Sequence, residues 1–197
     1  MRATRLTKSS TKTLGDLEMN LLALPLLFAI LQDIPQTSGS TENTRLNEHL
    51  KIFEPYVGKT YRGEFANSTP DKPIVDVSRW ERAMNGQAVR ILHSVNQGEY
   101  GGETILMWDA KNQKIAFWYF TTAGFFTQGT IETEGNGWTT IEKVSGNANG
   151  ITEVKAVSKP TTDGGFVTKS EYFKDGKWEP GNERTYRLAP DAEVTFR

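Results

Sequence analysis

The chain offers few residues for covalent chemistry. It holds two histidines and no cysteine, which removes thiolate nucleophiles, thiolate metal sites and a disulfide framework together. His93 lies in QAVRILHSV, residues 87–95, where Val89, Ile91, His93 and Val95 alternate with Arg90 on the other side. Successive side chains of a strand face opposite ways, so His93 is expected to point inward with its apolar partners. An inward imidazole either transfers protons, hydrogen-bonds a ligand, or is simply a satisfied core residue, and only an orienting partner would favour the first. By the same alternation FFTQGTIET sends Phe125, Thr127, Gly129 and Ile131 inward, and FVTKSEYF sends Phe166, Thr168, Ser170 and Tyr172 inward with Lys169 and Glu171 outside. Arg184, Tyr186 and Leu188 share a face near the C-terminus, and Tyr119 sits in the aromatic run IAFWYF. The inferred interior, with His93, Tyr119, Phe125, Thr127, Thr168, Ser170, Tyr172, Arg184 and Tyr186, is apolar with a few placed polar groups, the composition of a ligand cavity. Glu81, beside Trp80, is the remaining carboxylate candidate. Val75, Val77 and Arg79 share its face, so both the lumen and the surface stay open for it.

Sharper motifs are absent. There is no Gly-x-Ser-x-Gly elbow, phosphate loop, dinucleotide fingerprint or His-Glu-x-x-His, so nucleophilic or metal hydrolysis of the familiar kinds is not expected. The formal net charge is -1, with Lys and Arg scattered, and that leaves no basic face for nucleic acid.

The elements that must carry these residues are strands. From residue 59 onward, segments rich in Val, Ile, Thr and aromatics are separated by turn dipeptides such as Asn85-Gly86, Gln97-Gly98, Ala123-Gly124 and Asp175-Gly176. Such spacing predicts a meander of antiparallel hairpins. Ten strands are expected, at 59–66, 73–84, 87–95, 102–109, 114–121, 124–133, 138–144, 151–157, 166–174 and 177–188. Closing them into an up-and-down barrel removes exposed edges. Residues 104–129 hold seven of the chain's 21 aromatic residues; one set of these rings is expected to face the cavity and the other to pack outside it. Ahead of the barrel, over 41–58, Leu46, Leu50, Phe53 and Val57 recur at helical spacing, with Asn43 or Thr44 as N-cap and Pro55 and Gly58 as terminators. They predict a short amphipathic helix that plugs one barrel end.

Residues 1–40 read as an export signal. Arg2, Arg5, Lys8 and Lys12 precede an eleven-residue apolar run, Leu21 to Leu31, and the small residues TSGS follow it. The run is far below the roughly 20 residues of a membrane span. The expected mature start is near Thr41, in a secreted or periplasmic protein without a stable membrane anchor; a start at Met19 would leave the run without its basic flank.

The order of a helix, VGKTYRGEF, WERAMNGQAVR, ILMWDAKNQKIAFWYF and a closing NERTYRL resembles the small lipocalin-like (calycin) barrels of bacterial exported proteins, over about residues 46 to 190. Calycins open with Gly-x-Trp packed against an Arg of the last strand. Here Gly58 and Tyr61 stand one residue further apart, with Arg184 or Arg187 to supply the guanidinium. The resemblance implies an internal cavity and a small hydrophobic ligand. It does not imply a cofactor: the late-strand histidine by which some such barrels hold haem has no counterpart after His93, although Tyr172 or His93 has the chemistry of an axial ligand. Two functions remain open at this stage: an extracytoplasmic binder of a small hydrophobic molecule, and a cofactor-free isomerase, cyclase or decarboxylase that uses His93, Tyr172 or Glu81 in the same cavity.

Overall fold

The computed structural model describes residues 45–145 and 150–197. The export signal read over 1–40, with its expected cleavage near Thr41, lies outside the described residues, as do the proposed caps Asn43 and Thr44. Ten antiparallel strands form one closed barrel: β1 (Thr60–Phe65), β2 (Val75–Ala83), β3 (Ala88–Val95), β4 (Tyr100–Asp109), β5 (Lys114–Thr121), β6 (Phe126–Glu134), β7 (Gly137–Lys143), β8 (Ile151–Pro160), β9 (Phe166–Lys174) and β10 (Lys177–Leu188). Each strand pairs with the next, and β10 closes on β1 with Gly63 opposite Tyr186. The expected strands are therefore found, with ends shifted by a few residues.

The turns follow from the backbone that their residues tolerate. Asn85 and Gly86 take φ of 53° and 86°, and Asp175 and Gly176 take 52° and 79°, left-handed values that Gly and Asn accept at little cost. β10 carries Pro180, which has no N–H for the ladder; the register with β9 shifts between Pro180 and Glu183, the bulge at which a strand tolerates proline.

Ahead of the barrel there is a six-residue 3-10 helix, Glu48–Phe53, rather than an α-helix. Its N-cap is Asn47, whose side chain accepts from the His49 N–H. A 3-10 helix has three residues per turn; Leu50, Phe53 and Tyr56, three apart, are buried, as is Leu46 ahead of the helix. Val57 packs only partly. The helix is tied to the turn between β2 and β3: the Asn47 N–H donates to the Gly86 carbonyl at 2.8 Å, and Arg82 Nε donates to the Arg45 carbonyl at 3.3 Å. His49 stacks on Trp108 with ring centroids 3.7 Å apart. Among the described residues no helix is long and apolar enough to cross a membrane.

This end of the barrel is filled with rings. Phe53 meets Trp138 edge-on at 5.6 Å, Tyr56 lies 5.3 Å from both Trp80 and Trp138, and Phe166 stacks on Tyr186 at 4.5 Å. Offset and edge contacts of this kind add to the area that the rings bury. Tyr61 belongs to the cluster and is fully buried, with its hydroxyl lacking a hydrogen-bond partner; burial, and the neighbouring Tyr56, push that phenol up to about 12. Of the two arginines expected to supply a guanidinium to Tyr61, Arg184 sits instead 5.3 Å over the Phe65 ring and 5.9 Å over Tyr186, and Arg187 is exposed.

Candidate functional site

Beyond the aromatic floor the barrel holds a cavity of about 560 Å³. Alternation decides its lining. On β3 His93 and Ile91 face in, while Arg90 faces out and pairs with Glu103 at 2.9 Å. On β5 Phe117 and Tyr119 line the cavity and Trp118 and Phe120 are exposed outside. The aromatic run thus divides, one set of rings around the lumen and the other on the outer wall.

The polar groups gather on Asp76. Its carboxylate is 1% exposed and accepts two hydrogen bonds, from His93 Nδ1 at 2.9 Å and from the Tyr186 hydroxyl at 2.5 Å. Arg184 brings its Nη1 to 3.8 Å, an ionic contact too long for a hydrogen bond. His93 Nε2 meets the Tyr119 hydroxyl at 2.7 Å, and that hydroxyl meets Tyr100 at 3.0 Å. Four groups from β2, β3, β5 and β4 form a continuous line: Asp76, His93, Tyr119, Tyr100. Burial pushes the Tyr119 and Tyr186 phenols far above the ordinary range. Tyr100 is also raised by burial, against a downward pull from its bond to Tyr119. All three therefore stay protonated at neutral pH.

A second polar group sits on β7. Glu142 accepts from the Thr127 hydroxyl at 2.5 Å. Burial raises its carboxyl above the ordinary carboxylate value, while that hydrogen bond and the Arg184 charge pull it back. Arg184 keeps a buried Nε with no hydrogen-bond partner. A guanidinium donor without an acceptor is an expensive thing to bury. On β9 and β10, Asn182 Nδ2 donates to the Tyr172 hydroxyl at 2.7 Å, and Ser170 bonds the Asn182 main chain. Ser158 and Thr168 share a hydrogen bond of 2.8 Å.

All nine residues proposed from the sequence, His93, Tyr119, Phe125, Thr127, Thr168, Ser170, Tyr172, Arg184 and Tyr186, line this cavity. Four of them, His93, Tyr119, Arg184 and Tyr186, converge on Asp76 and its line. Thr168 and Ser170 are engaged with protein partners, and Leu188, read onto the face of Arg184 and Tyr186, is exposed where β10 leaves the barrel. Glu81 is on the outer wall, paired with Arg79 at 2.8 Å and Arg90 at 3.3 Å, so it has no part in the lumen. Sequence reasoning missed Asp76, Tyr100, Glu142 and Asn182. A signal existed for two of them: Asp76 shares its face with Trp80, and Glu142 shares its face with Trp138, rings too large for an outer wall without a partner. Both His93 ring nitrogens are occupied, leaving none for an iron or another metal. Among the described residues no group of three or more His, Asp or Glu is arranged to hold a metal ion.

Among the described residues the chain is thus an all-β protein, a closed ten-stranded antiparallel up-and-down barrel around a lumen. Among solved structures it is similar to the crystal structure of Rv2717c from M. tuberculosis, with a TM-score of 0.50 and 11% identity, the match covering 75% of this chain and 99% of that one. Likeness at that identity establishes the fold alone. No family model matches the chain, and no curated protein does.

Proposed function

We propose that this protein binds a small, largely apolar molecule inside the barrel, in an extracytoplasmic compartment. The observation that carries the reading is the cavity of about 560 Å³, walled by Ile91, Leu106, Phe117 and Ile131 and edged by the polar groups around Asp76. Ligand sites typically run from about 300 to 1,000 Å³ and pair apolar walls with a few directed polar groups. A lumen of this kind holds an apolar body by burial and orients its polar end by hydrogen bonds. The extracytoplasmic part rests on the basic flank, apolar run and small residues of 1–40.

Titration with the neutral probe N-phenyl-1-naphthylamine tests the lumen, because Trp80 and Trp138 line it and report arrival. The expected result is saturable quenching of tryptophan emission at one probe per chain; linear, unsaturable quenching overturns the proposal. N-terminal sequencing of exported protein should begin near Thr41, and retention of Met1 or Met19 would remove the extracytoplasmic part.

A further inference from the structure

Around Arg184 the lumen holds donors whose hydrogens find no acceptor among the described residues. The Tyr119 hydroxyl donates to Tyr100 at 3.0 Å, so the Tyr100 oxygen accepts and its own hydrogen is left for the cavity that Tyr100 lines. Tyr172 stands the same way, since its oxygen accepts from Asn182 Nδ2 at 2.7 Å. Arg184 comes no nearer to Asp76 than 3.8 Å, and its Nε has no partner. The exposed part of its side chain, 25%, opens on the same cavity. Three groups from β4, β9 and β10 thus bring unused hydrogens to one space, and they lie within electrostatic reach of one another. Glu142 is the carboxylate within the same reach, with one oxygen already taken by Thr127.

Resting on the reading of the lumen as a ligand site, we propose that its ligand is an amphipathic organic anion, whose carboxylate or sulfonate accepts from Arg184, Tyr100 and Tyr172, and that its binding puts a proton on Glu142. Oxygens that can only accept match groups that have only hydrogens left to give. Hydrogen bonds from a guanidinium to an anion are about twice as strong as neutral ones, and the anion supplies the acceptors that Arg184 lacks. The apolar body of the ligand is left to the walls of Ile91, Leu106 and Phe117.

The proton follows from what Arg184 already does. Burial raises the Glu142 carboxyl, and the Thr127 hydrogen bond and the Arg184 charge pull it back. An anion on Arg184 cancels that second pull and adds a like charge near Glu142, so the complex holds a proton there more firmly than the free protein does. The proton comes from solution; the new O–H is a further donor to the anion, while the other oxygen keeps Thr127. Anion affinity therefore rises as pH falls through the range between the free and the bound value of Glu142, by at most about tenfold per pH unit for one proton, and levels off below it. Gly129 and Val154 stand opposite Glu142 on β6 and β8, and neither titrates. The charged and titratable groups that face it are Arg184, Tyr100 and Tyr119, with His93 and Asp76 behind Tyr119.

1-Decanesulfonate is the test compound, because it stays ionised throughout and any pH dependence belongs to the protein; 1-decanol is its neutral counterpart. Each is measured by displacement of N-phenyl-1-naphthylamine. The sulfonate should bind about tenfold or more tightly than the alcohol, the effect of one charged hydrogen bond, and its affinity should rise as pH is lowered from neutral toward the carboxylate range. E142Q keeps an oxygen for Thr127 but cannot titrate, and its affinity for the sulfonate should stay flat with pH. R184Q should bind sulfonate and alcohol alike. If near-ultraviolet circular dichroism finds R184Q unfolded, the double variant Y100F/Y172F, which keeps both rings, takes its place and should weaken the sulfonate by about tenfold. A sulfonate held no better than the alcohol, a preference that survives in folded R184Q or is undiminished in the double variant, or a pH dependence that is missing in the unaltered protein or persists in E142Q, overturns the proposal and leaves the ligand-binding reading standing. If N-phenyl-1-naphthylamine itself does not bind, both fall.

Discussion

Replacing Asp76 by Asn tests whether the carboxylate holds the lumen together. Asn has the same shape, but it carries no charge and can offer an oxygen to only one of the two donors, His93 Nδ1 or the Tyr186 hydroxyl, that now meet the carboxylate at 2.9 and 2.5 Å. The other donor then faces an NH2 group. A hydrogen bond to a charged group contributes about 1.5 to 3 kcal/mol and a neutral one about 1 kcal/mol. Losing one charge-assisted bond and weakening the other should cost about 2 to 4 kcal/mol, with the unpaired Arg184 charge adding toward the upper end. Because Asp76 is 1% exposed, water cannot enter to replace the missing acceptor at no cost. Urea denaturation should show a lower midpoint with an unchanged slope, the signature of lost stability rather than an altered unfolded state. Adding Tyr186→Phe to the variant should cost less than the two single changes summed, because both act on one bond. A loss below about 0.5 kcal/mol, the level of surface substitutions, would refute the reasoning.

Phe53→Ala opens a hole in the aromatic floor and should cost about 3 to 5 kcal/mol; a change near zero in the denaturation midpoint would mean that the helix does not plug the barrel. Gly63→Ala puts a methyl 2.5 Å from Tyr186 Cε1, so the ring must shift, at a cost of about 1 to 3 kcal/mol and with an altered near-ultraviolet tyrosine signal. Glu142→Gln tests the raised carboxyl. A folded state that holds a proton more tightly than the unfolded chain is stabilised while the proton is on, below the ordinary value of 4.5, and loses that benefit as pH rises through the folded value. The melting temperature of the unaltered protein minus that of the variant should therefore fall as pH rises above 4.5 and then level off. A difference that stays flat, or rises, contradicts the assignment.

The barrel was legible because its signals are local. Turn dipeptides marked the hairpins, and period-two alternation located the inward faces of β3, β6 and β9 without any knowledge of their neighbours. β2 resisted the same reading: VDVSRWERA carries Asp76 and Ser78 inward and Val75 and Val77 outward, so its polar side is the buried one. Alternation identifies two faces and leaves to the partners the choice of which is inside. For β2 those partners are His93 and Tyr186, 17 and 110 residues away, and no local pattern encodes them. Glu142 is hidden in the same way among the threonines of GWTTIEK. The helix was misjudged in type, since Leu46, Leu50, Phe53 and Val57 fit an α period while Leu50, Phe53 and Tyr56 fit a three-residue one, and six residues are too few for sequence alone to separate them.

Three of the lumen's tyrosine rings lie against glycines on neighbouring strands. An ideal Cβ on Gly63 would clash with Tyr186, one on Gly102 would lie 2.6 Å from Tyr119 Cε2, and one on Gly181 would lie 2.9 Å from Tyr172 Cζ. Each ring lies across the space that a neighbouring strand leaves empty. A glycine in a strand forfeits side-chain packing and costs conformational entropy, a loss that a cross-strand aromatic ring recovers. The direction of Tyr119 toward His93 is thus set by the bare backbone of Gly102 on β4 as well as by its own strand. A Cβ on Gly102 would also lie 2.1 Å from the Phe120 carbonyl, so substituting Gly102 should shift Tyr119 and strain the β4–β5 pairing together.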